Sequence, residues 1–173
     1  MKSKNLVHVT LTSIFAALYA VGVVFLAPIS FQIFQVRIAD ALLPLSMLFG
    51  WPAVLGLSIG AFVANIFGGL GPIDMVGGAL ANFIATFLAW KLAKRNSRVW
   101  FLVGATVEIV VITLVVGSYL SYLFGVPMQV GLTGVFLGEI VAVGILGTIL
   151  LFAISDRRVR SLLRTHKLGS LSN

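Results

Sequence analysis

The sequence contains no cysteine, two histidines and few charges. The missing cysteine excludes a disulfide framework, a thiolate metal site and a cysteine nucleophile. Charged residues make up 10% of the 173 positions, against roughly 25% in a soluble domain. Only five residues are acidic. His8 and His166 lie at opposite ends of the chain, with no metal-ligand spacing to a carboxylate. No phosphate loop of the form G-x-x-x-x-G-K-S/T occurs, so the chain is not expected to hydrolyse ATP itself. A G-x-S-x-G nucleophile elbow is missing as well. Asn96-Ser97-Arg98 has arginine at the third position, where a glycosylation triplet needs Ser or Thr.

What is present is apolar. Hydrophobic residues make up 60% of the chain, and the mean hydropathy is +1.11. That leaves too little polar surface to cover a water-facing globule. The composition predicts an all-α integral membrane protein, multi-pass in the cell membrane, with a single membrane domain over residues 1–173. A hydrocarbon core takes about 20 apolar residues per helix. The apolar runs and their Pro/Gly punctuation predict six transmembrane helices near residues 7–27, 37–50, 53–67, 72–90, 99–123 and 130–154. The first run has a basic start but no convincing small-x-small cleavage site, and is read as a retained helix. Residues 29–36 follow a proline and carry two glutamines; they are too short to span, which predicts an extended or partly inserted outer loop. Pro44 is expected to bend or break the second helix. Two stripes recur every four residues, Gly56, Gly60, Ala64, Gly68 and Gly77, Ala81, Ala85, Ala89. Each puts small residues on one helix face, where another backbone can approach.

The formal charge of +7 is no argument for nucleic acid, because location decides. The basic residues cluster at the ends of apolar runs: Lys2 and Lys4; Lys91, Lys94, Arg95 and Arg98; Arg157 to Lys167. This is the pattern of cytoplasmic segments beside an anionic leaflet. Six spans with a cytoplasmic amino terminus put all three clusters on the cytoplasmic side. The tail from Asp156 to Lys167 is then an interfacial helix or a disordered tail.

The polar residues inside apolar runs are the candidates for chemistry. Glu108 and Glu139 each fall near the middle of a predicted span, where a carboxylate costs at least ~2.5 kcal/mol and usually marks a substrate or ion path. The alternative is a protonated acid bonded to a neighbouring helix. Asp40 and Asp74 lie near helix amino termini at the outer side, where the dipole favours an anion. There Arg37 and Asp40 could be a simple i,i+3 pair. Asn65 and Asn82 are amides in apolar helices, suited to a helix–helix hydrogen bond or to a ligand. Glu108, Tyr119 and Tyr122 fall within a narrow arc of one helix, because their spacings are close to whole turns. Either tyrosine could equally be an interfacial belt residue.

The run Arg37-Ile38-Ala39-Asp40-Ala41-Leu42, then Ala64-Asn65-x-x-Gly68-Gly69-Leu70-Gly71 and Asp74, resembles the QueT family, as does Gly138-Glu139-Ile140. The resemblance covers nearly the whole chain. It implies a substrate-binding (S) component of an energy-coupling factor (ECF) transporter, an S-component-like bundle with both termini cytoplasmic. Such a component is not an enzyme and needs no cofactor of its own. It works with a transmembrane coupling subunit and two ATPase subunits that use the ATP. The resemblance further implies a pocket open to the outside, closed in part by the loop between helices one and two. The ligand would be vitamin-like, a queuosine precursor of the deazaguanine type. Glu139, Glu108, Asn82, Asp74, Asn65, Asp40, Arg37 and Tyr119 are the residues expected to bind it. Carboxylates would accept neighbouring N–H groups of a guanine-type edge and a cationic aminomethyl arm. Phe31, Phe34, Tyr119 or Tyr122 would stack on the base. Ala16 and Ala20 supply the A-x-x-x-A spacing expected to dock the coupling subunit. The chain departs from the family pattern at Ala39 in place of serine, at Asp40 in place of glutamate, and at Asn82 in place of a small or hydroxylated residue. These positions fall in the suspected pocket and bear on the substrate rather than on the fold.

Two other classes of function stand against this one. A stand-alone proton-coupled carrier or small channel would use Glu108 and Glu139 as proton sites. No inverted repeat between the two halves supports it. A membrane enzyme acting on lipid would need acidic, His or Ser groups clustered at one interface, and the sequence shows none.

Overall fold

The structure is a computed structural model that describes residues 2–93 and 97–155, and these are helical almost throughout. Its elements are α1 (Lys2–Phe25), a single turn α2 (Ala27–Ser30), a 3-10 helix (Ile38–Leu45) continuing into α3 (Ser46–Phe49), α4 (Trp51–Gly68), α5 (Pro72–Leu92), α6 (Arg98–Phe124) and α7 (Met128–Glu139). A π-helical segment (Ile140–Gly147) joins α7 to α8 (Thr148–Ser155). Five helices are long and apolar enough to cross a membrane: Asn5–Phe25, Trp51–Gly68, Pro72–Leu92, Arg98–Phe124 and the continuous run Met128–Ser155. The basic tail and the middle of the basic loop at Lys94 and Arg95 lie outside the described residues.

The second of the six predicted spans differs from expectation. Ile38–Phe49 is a shorter apolar helix. It rises about 22 Å at 3-10 and α spacing, short of the ~30 Å hydrocarbon thickness. Its backbone is irregular, with Pro44 inside it as the sequence suggests. Such backbone is tolerated at membrane depth only inside protein, and this segment is the most enclosed in the bundle. Ala39, Asp40, Ala41, Leu43, Pro44, Leu45, Ser46 and Met47 are all buried. It touches α1, α4, α5, α6, α8 and the π segment. The connection before it is looped as expected and closed by the Val36 amide, which donates to the Ile29 carbonyl (3.0 Å).

Around this central element the long helices pack in sequence, α1 on α4, α4 on α5, α5 on α6 and α6 on α7. Lipid tails are as apolar as leucine, so close packing rather than burial from water drives these contacts. The small residues do what their spacing predicts. A Cβ on Gly60 would lie 2.8 Å from the Ala16 carbonyl oxygen and 2.9 Å from Tyr19 Cβ. Ala81, Ala85 and Ala89 are fully buried. The outer surface is correspondingly apolar: Leu6, Val9, Val21, Phe25, Val99 and Ile149 are all exposed.

Candidate functional site

The interior holds what a soluble protein would keep outside. Arg37, Asp40, Asn65, Asp74, Asn82, Glu108 and Glu139 are all buried, each under 5% exposed. These are seven of the eight residues expected to bind ligand; Tyr119, the eighth, is partly buried beside them. Four of the five acidic residues of the chain therefore lie inside the bundle.

One half of the cluster forms where α4, α5 and α6 meet the loop after α2. Gly69 and Gly71 take positive φ (71° and 90°) in the turn between α4 and α5, a conformation glycine adopts without a Cβ clash. That turn brings Asn65 back onto the start of α5, where its amide nitrogen donates to the Asp74 carbonyl (2.7 Å). Gly78 leaves room for this amide, since a Cβ there would overlap it. The Tyr119 hydroxyl donates to Asp74 Oδ1 (2.9 Å). Arg37 reaches the same oxygen at 3.8 Å, donates from Nε to the Ser30 carbonyl (3.2 Å), and lies over the Phe31 ring at 5.4 Å. Arg37 thus pairs across the bundle with Asp74 rather than with its i+3 neighbour Asp40. Burial works against the charge of Arg37, but the surrounding acidic and phenolic groups more than offset it and raise its pKa, so it stays a cation.

The other half lies deeper along α6. Glu108 and Tyr119 are separated by about 16 Å of helix rise. Asp40 accepts from the Tyr19 hydroxyl (2.5 Å) and lies against the Glu139 carboxyl. Glu108 accepts from Ser46 Oγ (3.3 Å) and lies within electrostatic reach of both Asp40 and Glu139. Asn82 touches Tyr19 and donates to the Leu57 carbonyl (3.3 Å), a helix–helix bond of the kind its position suggests. Local backbone places the two central acids. Asp40 sits in the narrow 3-10 helix, and Glu139 is the last residue before the wide π segment that packs on it. Their approach depends on Gly147, where a Cβ would sit 2.9 Å from the Pro44 ring. π-Helical turns inside α-helices recur at functional sites.

The polar groups are not all used within the protein. Arg37 Nη2, Asn65 Oδ1, Asp74 Oδ2, Glu108 Oε2, Glu139 Oε2 and Thr113 Oγ1 are buried without a hydrogen-bond partner. Such atoms are rare in folded proteins, and each carries a desolvation cost until something meets it. Among the described residues no three acidic or histidine side chains come close enough to hold one metal ion.

Tyr19 and Ser46 join the cluster as hydroxyl donors, to Asp40 and Glu108, without being singled out in the sequence. Tyr19 carries a signal, a phenol in the middle of an apolar run. Ser46 carries none beyond a small hydroxyl in a helix. Two proposed stacking residues lie elsewhere, with Tyr122 78% exposed and Phe34 60% exposed. Phe31 and Tyr119 remain at the cluster. Ala16 and Ala20, the expected docking pair, are both half-buried; Ala16 packs on Gly60 of α4 and Ala20 packs against the core.

A family model described as QueT transporter matches residues 9–156, most of the chain. No curated protein and no solved structure matches it. Together with the five long apolar helices, the family match makes the chain a multi-pass cell-membrane protein with a role in transport.

Proposed function

The chain belongs to the QueT transporter family, and from that premise we propose that it is the substrate-specificity subunit of an ECF-type importer. It binds a queuosine precursor, a deazaguanine base, from outside the cell and has no catalytic activity or cofactor of its own. ATP is used by two partner ATPases, which act through a transmembrane coupling subunit. That subunit docks on α1 beside Ala16 and Ala20. Both termini are cytoplasmic, in keeping with the three basic clusters.

One observation carries this reading: five of the unpartnered buried polar atoms belong to residues that the sequence singled out, Arg37, Asn65, Asp74, Glu108 and Glu139. A deazaguanine meets three of them with its own groups. The adjacent N–H donors of its ring edge suit Asp74 Oδ2, its carbonyl suits Arg37 Nη2, and Asn65 Oδ1 accepts a further N–H. Phe31 and Tyr119 offer ring faces for the base.

The test is uptake of labelled base into proteoliposomes. Uptake that requires the coupling subunit, both ATPases and ATP supports the proposal. Uptake by this chain alone, abolished by collapsing the proton gradient, would replace it with a proton-coupled carrier that uses Glu108 and Glu139.

A further inference from the structure

Away from the buried cluster, aromatic rings gather on one outer edge of the bundle. Trp51 opens α4 directly after Gly50, and α5 brings Phe83, Phe87 and Trp90 against it, at ring-centroid distances of 6.2, 5.5 and 5.4 Å. The three α5 rings share one face because their spacings are close to whole turns. Phe83 and Phe87 stack at 6.0 Å. This row is not core: Trp51 is 43% exposed, and the α5 rings are half-buried. At its end the Lys91 ammonium lies 4.6 Å from the centre of the Trp90 ring and 5.2 Å from that of Phe87. Lys91 is exposed and pairs with no acid, the one ion pair among the described residues being Arg37 with Asp74.

A lysine at a membrane edge ordinarily stretches its ammonium away towards water. Here two ring faces hold it back and fix the place of the charge, while its other side stays open to an acceptor. We propose that this edge is a binding site for one anionic phospholipid. The phosphodiester accepts hydrogen bonds from Lys91, and an acyl chain lies along the row of rings. Phe83 is about 12 Å of helix rise from Lys91, a depth that an acyl chain covers. Charge complementarity selects the occupant. Lys94, Arg95 and Arg98 follow Lys91 in the sequence, and no acid occurs between Asp74 and Glu108. Basic edges of this kind attract anionic headgroups. A zwitterionic choline lipid brings a quaternary ammonium, which aromatic faces attract, but Lys91 already occupies two of those faces and repels a second cation. A second copy of this chain brings the same basic edge, at a formal charge of +7. The site stands apart from the transport ligand and needs no transport partner.

The experiment uses the site's own tryptophans. The full-length chain is reconstituted in phosphatidylcholine vesicles in which a fraction of the lipid is replaced by dibrominated phosphatidylglycerol or, separately, dibrominated phosphatidylcholine. Bromine quenches tryptophan fluorescence on contact. The expected result is stronger quenching by the glycerol lipid, equivalent to a preference of about fivefold, the share of one basic residue at a membrane surface. Lys91→Gln should bring the preference close to one, and Lys91→Arg should keep it. In the unaltered chain, raising the salt concentration should shrink it, a readout that needs no variant. Trp51→Phe combined with Trp90→Phe leaves only Trp100 to report, and the selective quenching should disappear. Equal quenching by both lipids overturns the site and leaves the rings as an unselective interfacial belt. Stronger quenching by the choline lipid, or a preference that survives in Lys91→Gln or in the double tryptophan variant, overturns it as well. A preference that vanishes as the protein-to-lipid ratio rises, with energy transfer between labelled copies, overturns it in favour of a second copy on this edge.

Discussion

The Tyr19 hydroxyl donates to the Asp40 carboxylate, tying the middle of α1 to the irregular central helix. This bond lets an acid lie within the bundle at 2% exposure. Tyr19→Phe removes the donor and keeps the ring. The expected loss is ~1–3 kcal/mol, the cost of leaving a buried acceptor short of a partner. Thermal unfolding in one detergent should show a lower midpoint than wild type; an unchanged midpoint would mean that Asp40 finds another donor.

Arg37 and Asp74 form a buried pair, so removing one partner strands the other. Arg37→Gln or Asp74→Asn should each cost ~3–5 kcal/mol. The double variant should cost less than the sum of the two, because the stranded charge is gone. A double-mutant cycle on unfolding free energies checks this, and strict additivity would mean that the 3.8 Å contact carries no coupling.

Gly134 and Gly138 let the loop before the central helix lie against α7. A Cβ at either position would overlap a loop carbonyl, that of Ile33 or of Gln35. Gly138→Ala should therefore displace the loop at a cost of ~1–3 kcal/mol. Hydrogen exchange is the sensitive readout, since the Val36 amide, bonded to Ile29, should exchange faster in the variant. Protection equal to wild type would show that the loop tolerates the methyl group.

Tyr119 and Tyr122 separate a site role from a surface role. Tyr119→Phe removes a donor to Asp74 and should weaken base binding by about tenfold. Tyr122→Ala alters an exposed side chain and should leave affinity unchanged. Equal effects of the two substitutions would place the ligand outside the cluster described above.

Much of this arrangement is legible in the sequence, for a physical reason. A polar side chain in an apolar helix is costly enough to be conspicuous, so Glu108, Glu139, Asn65 and Asn82 stand out without any partner in view. The small-residue stripes are equally plain, because a four-residue period is a helix face. Hydroxyls are not conspicuous. A serine hydroxyl in a helix often bonds a carbonyl of its own helix, so the residue type of Ser46 says little about where it points. Periodicity also cannot distinguish α from 3-10 or π geometry over eight residues. The narrow and wide helices that bring Asp40 to Glu139 therefore emerge only in three dimensions. Tyr122 lies about 60° around α6 from Tyr119, enough to turn it out of the bundle. Arg37 lies one turn from Asp40 in the sequence, whereas the loop before the central helix carries it to Asp74.

The central claim is that buried acids hold a polar ligand taken from outside. Equilibrium binding of radiolabelled 7-aminomethyl-7-deazaguanine to the purified chain tests it most directly, with wild type beside Asp74→Asn and Glu139→Gln. Saturable binding to wild type, weakened in both folded variants, is the predicted result. No saturable binding to wild type, or equal binding to all three, would contradict the account.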